Sequence, residues 1–295
     1  MTEENQNRDR VVAVSGVTGF LGGELKRLFE RSDQKVIPLT RADFEKGVDH
    51  LSQKINGVSA VFHFVGEPVL QKWTKKAKKK IYDSRVGTTG LLVKAVELTE
   101  DKPDMFFSAS AVGIYDVYEV HDEFSTVYGD DFLANVCKDW EKEALKLYDK
   151  HGIRLIIGRM GAVLGRNGGA WPQVMKALNM GIGNKVGDGY QAFPFIHIDD
   201  FLTAMWYLWK KSSCTGVFNI VTPRLVSNGE FSEELLKVTG KKVMLNAPEW
   251  MLRVKFGEGV RLFTHGQKVL PLRLMEDRFS FLYPDISSVV KELVK

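Results

Sequence analysis

The chain has 295 residues, more than one average domain but within reach of one large α/β unit carrying an added lobe. Hydrophobic residues make up 44% and charged residues 26%, near the globular norm, which excludes disordered, collagenous and membrane-spanning classes. Its 41 basic and 37 acidic residues leave a formal charge of +4, too small an excess to call for a nucleic-acid partner.

Short runs rich in Val, Ile and Phe without polar alternation predict strands over residues 11–15, 35–39, 60–65, 105–108, 154–158 and 217–221. Such runs suit a parallel sheet buried on both faces. Helical patterns fall between them, over 21–31, 75–99, 132–151 and 201–211. The alternation, joined by right-handed crossovers, predicts an α/β fold with a doubly wound parallel sheet of the Rossmann type. After Val221 the rhythm changes: 231–239 reads as a helix and 249–270 as one or two more, punctuated by Pro248, Pro271 and Pro284. We therefore expect a dinucleotide-binding domain over 10–160 plus 195–222, and a smaller, mostly helical substrate lobe over 161–194 plus 223–295.

The glycine-rich stretch from Gly16 through Thr18, Gly19, Phe20 and Leu21 to Gly22 directly follows the first predicted strand and opens the first helix. That position is what gives a G-x-x-G-x-x-G pattern its meaning. Gly16 permits the tight turn, Gly19 lets the backbone approach a pyrophosphate, and Gly22 lets the helix pack closely on the strand. Free N–H groups at the helix start then hold the negative charge. In NAD-binding proteins an acidic residue at the end of the second strand takes the ribose 2′-OH. Here that strand ends in Thr40-Arg41. Arg41 is suited to the 2′-phosphate of NADP, because a guanidinium matches phosphate bidentately, and is otherwise a solvated strand-end arginine. Asp43 is placed to reach the adenine edge.

Beyond the glycine motif, Phe64-Val65-Gly66-Glu67-Pro68, Ser84-Arg85 and Ser108-Ala109-Ser110-Ala111 resemble segments of the extended short-chain dehydrogenases/reductases. The stretches from Arg159 to Gly165, Gly187 to Gln191, Phe195 to Asp200 and Gly216 to Asn219 resemble an epimerase-family, nucleotide-sugar-epimerase-like subgroup. Its C-terminal domain of unknown function is matched by Gly257-Glu258, Gly266 to Pro271 and Phe279 to Phe281. The resemblance implies NADP, or less readily NAD, as cofactor, with Val65, Gly66, Glu67, Arg85 and Ser108 joining the glycine motif, Arg41 and Asp43 as its contacts. It also implies that the chain enters the substrate lobe near Gly161 and returns at His197. Asp199 or Asp200 then caps the helix that follows.

The usual chemistry of that superfamily needs a Tyr-x-x-x-Lys pair, in which the lysine lowers the pKa of a proton-transferring tyrosine while a serine orients the carbonyl. The expected place reads from Phe132 to Val136, with neither residue, as is common in the subgroup. The one Tyr-x-x-x-Lys in the chain, Tyr207 to Lys211, falls on the wrong helix. Ser110 remains, and Tyr115, Glu67 and His197 are titratable groups near strand C-terminal ends. Ser110, Tyr115 and His197 are the candidate catalytic set. Each titratable group has a structural alternative: Tyr115 a packed aromatic, Glu67 a loop carboxylate, His197 a hydrogen-bonded anchor. Gln191 and Trp171 are candidate ligand contacts in the lobe, with Trp171 equally suited to plug its core.

Two cysteines, Cys137 and Cys214, stand in no metal-ligand or C-x-x-C spacing, so we expect a reducing compartment and no metal. The polar stretch 1–10 and the short apolar run behind it fit neither signal peptide nor membrane span, so we expect the cytoplasm, or an organelle whose targeting segment has been cut away, and no membrane partner. Lys72, Lys75, Lys76, Lys78, Lys79 and Lys80 around Trp73 read as a solvated helix face rather than a nucleic-acid patch. The partner expected is a small-molecule substrate. Two functions remain open: an NADP-dependent oxidoreductase or epimerase acting on a small polar or nucleotide-linked substrate, and a non-catalytic NADP(H) sensor or interaction protein.

Overall fold

The computed structural model describes residues 11–295. The first half alternates β1 (Val11–Ser15), α1 (Phe20–Arg31), β2 (Lys35–Leu39), α2 (Arg41–Glu45), α3 (Val48–Ile55), β3 (Ala60–His63), α4 (Lys75–Tyr82), α5 (Thr88–Leu98), β4 (Met105–Ala111), β5 (Val120–His121) and α6 (Phe132–Ala144). Then come β6 (Arg154–Met160), β7 (Ala162–Gly165), β8 (Gly168–Gly169), α7 (Trp171–Asn179), β9 (Ile182–Val186), β10 (Phe195–His197), α8 (Ile198–Lys210) and β11 (Gly216–Ile220). The tail holds α9 (Asn228–Thr239), β12 (Leu245–Ala247), α10 (Glu249–Phe256), α11 (Arg261–Thr264), β13 (Lys268–Val269), α12 (Leu272–Glu276) and α13 (Ile286–Val294).

Six of these strands form one parallel sheet in the order β2-β1-β3-β4-β6-β11. Side chains alternate along each strand, so each face of the sheet buries its own set. Phe62 and Phe107 meet Phe29 of α1 and Trp209 of α8 on one face. Phe106 and Ile157 meet Leu51 of α3 and Leu92 of α5 on the other. Burying each such side chain fully is worth roughly 1.5–3 kcal/mol, which is why these strands read as continuous apolar runs. A third cluster, with Leu164, Trp171, Phe195, Phe231, Leu235 and Val289, forms the lobe core. Trp171 thus plugs that core, 3% exposed.

Several boundaries differ from the sequence expectation. The helix expected over 75–99 is two helices joined by a π-helical turn, Asp83–Gly87. The Thr88 hydroxyl donates to the Ser84 carbonyl (2.7 Å), the back-bonding that bends helices. Strand β4 runs on to Ala111 because its pairing with β6 continues through Ala111 opposite Met160. Helix α6 ends at Ala144, passes through a 3-10 turn at Leu145–Leu147, and is followed by left-handed Asp149 and His151.

The cap of α8 is also not the expected one. The helix begins at Ile198, so His197 is its N-cap, its Nδ1 accepting the Asp199 N–H at 3.2 Å. Asp200 instead turns inward, wholly buried, and accepts the Leu282 and Tyr283 N–H groups at 2.6 and 2.9 Å. Those bonds anchor the tail, and the tail does more than form the lobe. Leu274 and Phe279 sit in the core beside Phe29 and Trp209, while β13 pairs with β5. Arg273 lies 4.0 Å over the Phe218 ring of β11 and donates to the Thr215 and Val217 carbonyls.

Candidate functional site

The chain leaves β1 for β2 on one side and returns to β3 on the other. The C-terminal ends of β1 and β3 therefore part, and this is where open α/β sheets bind ligands. Gly16, at φ +72°, turns the chain out of β1. A Cβ on Gly16 would stand 2.8 Å from the Phe64 carbonyl oxygen, and one on Gly22 2.5 Å from the Gly16 carbonyl oxygen. A Cβ on Gly19 meets only the Gly16 carbonyl oxygen, at 3.2 Å. Gly16 and Gly22 thus meet backbone on their closed sides, whereas Gly19 opens outward. Gly19 caps α1 without a side-chain acceptor, and no acid stands in the first turn. The amide groups at the start of this 12-residue helix are left for an anion. Thr18 beside them is exposed.

Phe20 and Leu21 face inward. Leu21 packs on the core under the sheet. Phe20 lies on a cradle of lobe glycines, where a Cβ on Gly165 would be 2.6 Å from its ring and one on Gly168 would overlap it. The β7–β8 hairpin is thereby set directly against the glycine motif.

Beneath the motif runs a polar chain that sequence reasoning missed. Ser15 Oγ accepts the Phe64 N–H (3.0 Å) and bonds His63 Nδ1 (2.8 Å), while His63 Nε2 lies 3.4 Å from Thr88 Oγ1. His63 is fully buried, and burial pushes it down to about 3, so the ring stays neutral. The signal was a histidine inside an otherwise apolar strand. On the far side, the Glu67 N–H donates to Ser84 Oγ (2.9 Å), and Arg85 Nη1 donates to the Glu67 and Ile81 carbonyls (3.0 and 3.2 Å). The Arg85 guanidinium lies against Gly66 and 5.5 Å over the Trp140 ring. Val65, Gly66 and Glu67 are thus tied to the π-helical turn, a kind of irregularity that is frequent at functional sites.

At the end of β2, Arg41 is exposed as the first residue of α2. Asp43 is not free beside it. Its carboxylate accepts from the Thr40 N–H and hydroxyl (2.7 and 2.6 Å), from Lys54 (2.8 Å) and from His50 (2.9 Å). Burial alone would raise this carboxyl, but the Lys54, Thr40 and His50 contacts outweigh it and hold it well below the usual range. Asp43 is occupied as a brace for the turn, which leaves no oxygen for the adenine edge in this arrangement.

Ser108, expected at a strand end, lies inside the longer β4, 1% exposed, with its hydroxyl on the Ala109 carbonyl (3.3 Å). Ser110 and Tyr115 come together in a network between the sheet and α6. Ser110 Oγ donates to Glu141 Oε1 (2.5 Å), and Glu141 holds Arg159 through Nε (2.9 Å) and Nη2 (2.7 Å). Arg159 Nη1 donates to the Tyr115 hydroxyl (2.8 Å), which lies 2.9 Å from Asn219 Oδ1 and 2.8 Å from the Asp122 carbonyl oxygen. Glu123 accepts the Asn219 N–H (2.9 Å). Ser110 is 0% and Tyr115 1% exposed. Burial pushes the Tyr115 phenol up to about 12 against the pull of Arg159. Tyr128, exposed, adds its ring 5.4 Å from the Arg159 guanidinium.

His197 does not join this network. It packs on Tyr283, ring centroids 4.1 Å apart, and its Nε2 has no partner among the described residues. In the lobe, Gln191 donates to the Val186 and Phe263 carbonyls (3.1 and 2.8 Å) and so ties two of its segments together. The lysines of α4 lie outside the site, with Lys78 paired to Glu258 and Lys75, Lys76, Lys79 and Lys80 exposed.

No helix among the described residues is long and apolar enough to cross a membrane. Residues 12–220 match the NAD dependent epimerase/dehydratase family, and residues 247–293 match a domain of unknown function, DUF1731. The chain is 31% identical to epimerase family protein SSP1921 of Staphylococcus saprophyticus, across 95% of this chain and 98% of that protein. It is 32% identical to the chloroplastic epimerase family protein SDR39U1 homolog of Arabidopsis thaliana, across 96% and 86%. Among solved structures, the human epimerase family protein SDR39U1 with NADPH superposes with a TM-score of 0.87 at 28% identity, across 96% and 98% of the two chains. A Bacillus cereus UDP-glucuronic acid 4-epimerase in complex with UDP-glucuronic acid and NAD shares the fold, with a TM-score of 0.76 at 17% identity across 95% and 96%.

Proposed function

The chain belongs to the NAD dependent epimerase/dehydratase family, and on that premise we propose that it binds NADP(H) in preference to NAD(H) and works as a cytoplasmic oxidoreductase or epimerase on a small polar or nucleotide-linked substrate. The observation that carries this reading is the glycine cradle at the β1–β3 crevice, closed at Gly16 and Gly22 and open at Gly19. In it the motif from Gly16 to Gly22 seats the pyrophosphate, Val65, Gly66 and Glu67 border the next part of the dinucleotide, and Arg85 fixes that border. When bound, the nicotinamide supplies or takes a hydride. Ser108 acts only through the strand that carries it.

Arg41 is the specificity residue of this reading. Charged hydrogen bonds are worth roughly 1.5–3 kcal/mol, so NADPH should bind about ten- to a hundredfold more tightly than NADH. Fluorescence titration of both cofactors checks this, with Arg41→Ala expected to lose the preference and keep its NADH affinity. Equal binding of both by the wild type would remove the argument for NADP.

A second reading, a non-catalytic NADP(H) sensor, is favoured by one observation: the hydroxyls of Ser110 and Tyr115 are both engaged inside a buried network, and α6 contains no tyrosine. Acid–base help is typically worth about 10²–10⁴ in rate, so the two readings differ measurably. Hydride transfer from NADPH is assayed over a panel of carbonyl compounds and nucleotide sugars, for wild type, Ser110→Ala, Tyr115→Phe and His197→Gln. An enzyme turns over some substrate, and one or more of these variants lose most of that rate at unchanged cofactor affinity. Tight binding with no turnover across the panel selects the sensor.

A further inference from the structure

The first turn of α2, just past β2, carries two charges of opposite sign two residues apart, one left in solvent and the other buried. Arg41 is exposed, whereas Asp43 is 6% exposed. A carboxylate at this strand end is what accepts a ribose 2′-OH, and by charge it repels a 2′-phosphate. Asp43 carries that charge, but its carboxylate is already held by the Thr40 N–H and hydroxyl on one side and by α3 on the other. His50 and Lys54, four residues apart and so on one face of α3, close on opposite oxygens of the carboxylate at 2.9 and 2.8 Å.

We propose that Lys54, assisted by His50, is a positioning residue for cofactor choice: it draws Asp43 inward and neutralises it, leaving the charge of Arg41 unopposed for a 2′-phosphate. This rests on the reading of Arg41 given above and adds a second determinant on a different helix. The pair is partly desolvated, with the Asp43 side chain 8% and the Lys54 side chain 27% exposed. Its attraction is therefore stronger than that of a pair in bulk water. Without Lys54, the negative charge of Asp43 stands uncompensated two residues from Arg41 and raises the cost of bringing a phosphate dianion to that spot.

The test measures the ratio of NADH to NADPH dissociation constants, and separately that of 5′-AMP to 2′-AMP, whose binding needs no nicotinamide site. Lys54→Met keeps most of the aliphatic stem, and circular dichroism checks its fold. It should lower both ratios about tenfold, or about 1.4 kcal/mol. Lys54→Gln, which keeps a donor for Asp43 without the charge, should lower them less. Asp43→Asn keeps acceptors for Thr40 and removes the repelling charge. In that background Lys54→Met should change neither ratio, since its whole effect runs through the Asp43 carboxylate.

Ratios unchanged by Lys54→Met alone overturn the proposal. A drop that persists in the Asp43→Asn background overturns it too, because Lys54 would then be touching the phosphate itself. Equal binding of the two cofactors by the wild type counts against the Arg41 reading only. The change in ratio between wild type and Lys54→Met still reports on the clamp.

Discussion

Replacing Glu141 with alanine is expected to cost about 3–5 kcal/mol of folding stability, the range found when one partner of a buried ion pair is removed. The Glu141 and Arg159 side chains are only 7% and 4% exposed, so nothing in bulk solvent can replace the lost carboxylate. Arg159 would keep the Tyr115 hydroxyl as an acceptor while losing both bonds to carboxylate oxygens, and the buried Ser110 hydroxyl would lose its acceptor as well. Glu141→Gln, which keeps an acceptor of the same shape, should lose less. The double variant Glu141→Leu with Arg159→Met should recover much of the single-variant loss, since two apolar side chains leave no uncompensated charge. Urea denaturation of the four proteins measures these differences. A loss under about 1 kcal/mol for Glu141→Ala would mean that water enters the network and that the pair behaves as a surface one.

That network also marks where the sequence stopped being readable. The six strands of the sheet and the glycine motif were legible because their signals are local: apolar runs of strand length, and glycines spaced for a turn, an approach and a close packing. What was not legible depends on partners far away in the chain. Ser110 meets Glu141 across 31 positions, Tyr115 meets Asn219 across 104, and the Asn219 N–H reaches Glu123 across 96. Asp43 looked like an adenine contact because it stands just past the end of the second strand, two residues after Arg41. Its actual partners, His50 and Lys54, arrive from the next helix. Asp200 looked like a cap because it precedes an apolar helix, yet the helix starts two residues earlier and the carboxylate is spent on backbone at Leu282 and Tyr283. In each case the residue type was read correctly as a hydrogen-bonding group, and the direction of its side chain was set by packing.

The second and third glycines of the motif, Gly19 and Gly22, should separate binding from folding when each is substituted. Gly19 has φ −84° and ψ 173°, an extended conformation that a β-branched residue adopts without strain. Its Cβ would meet only one carbonyl oxygen, at 3.2 Å, a contact relieved by a shift of a few tenths of an ångström. Gly19→Val should therefore fold with near wild-type thermal stability. Its two methyl groups, however, stand on the open side of the cradle, where the pyrophosphate must approach the amides that begin α1. Cofactor affinity should fall by a hundredfold or more, on the order of 3 kcal/mol. Gly22→Ala is the converse. Its Cβ would lie 2.5 Å from the Gly16 carbonyl oxygen, 2.7 Å from the Gly16 carbonyl carbon and 2.9 Å from the Ser15 carbonyl oxygen, all of them backbone. The helix has to move off β1 to admit it, and overpacking of this kind costs about 1–3 kcal/mol. Gly22→Ala should thus lose stability first and affinity only as a consequence, whereas Gly19→Val loses affinity alone. Melting curves with and without NADPH distinguish them: the ligand should raise the melting temperature of Gly22→Ala and leave that of Gly19→Val unmoved. A Gly19→Val protein still stabilised by NADPH to the wild-type extent would mean that the dinucleotide lies away from this loop.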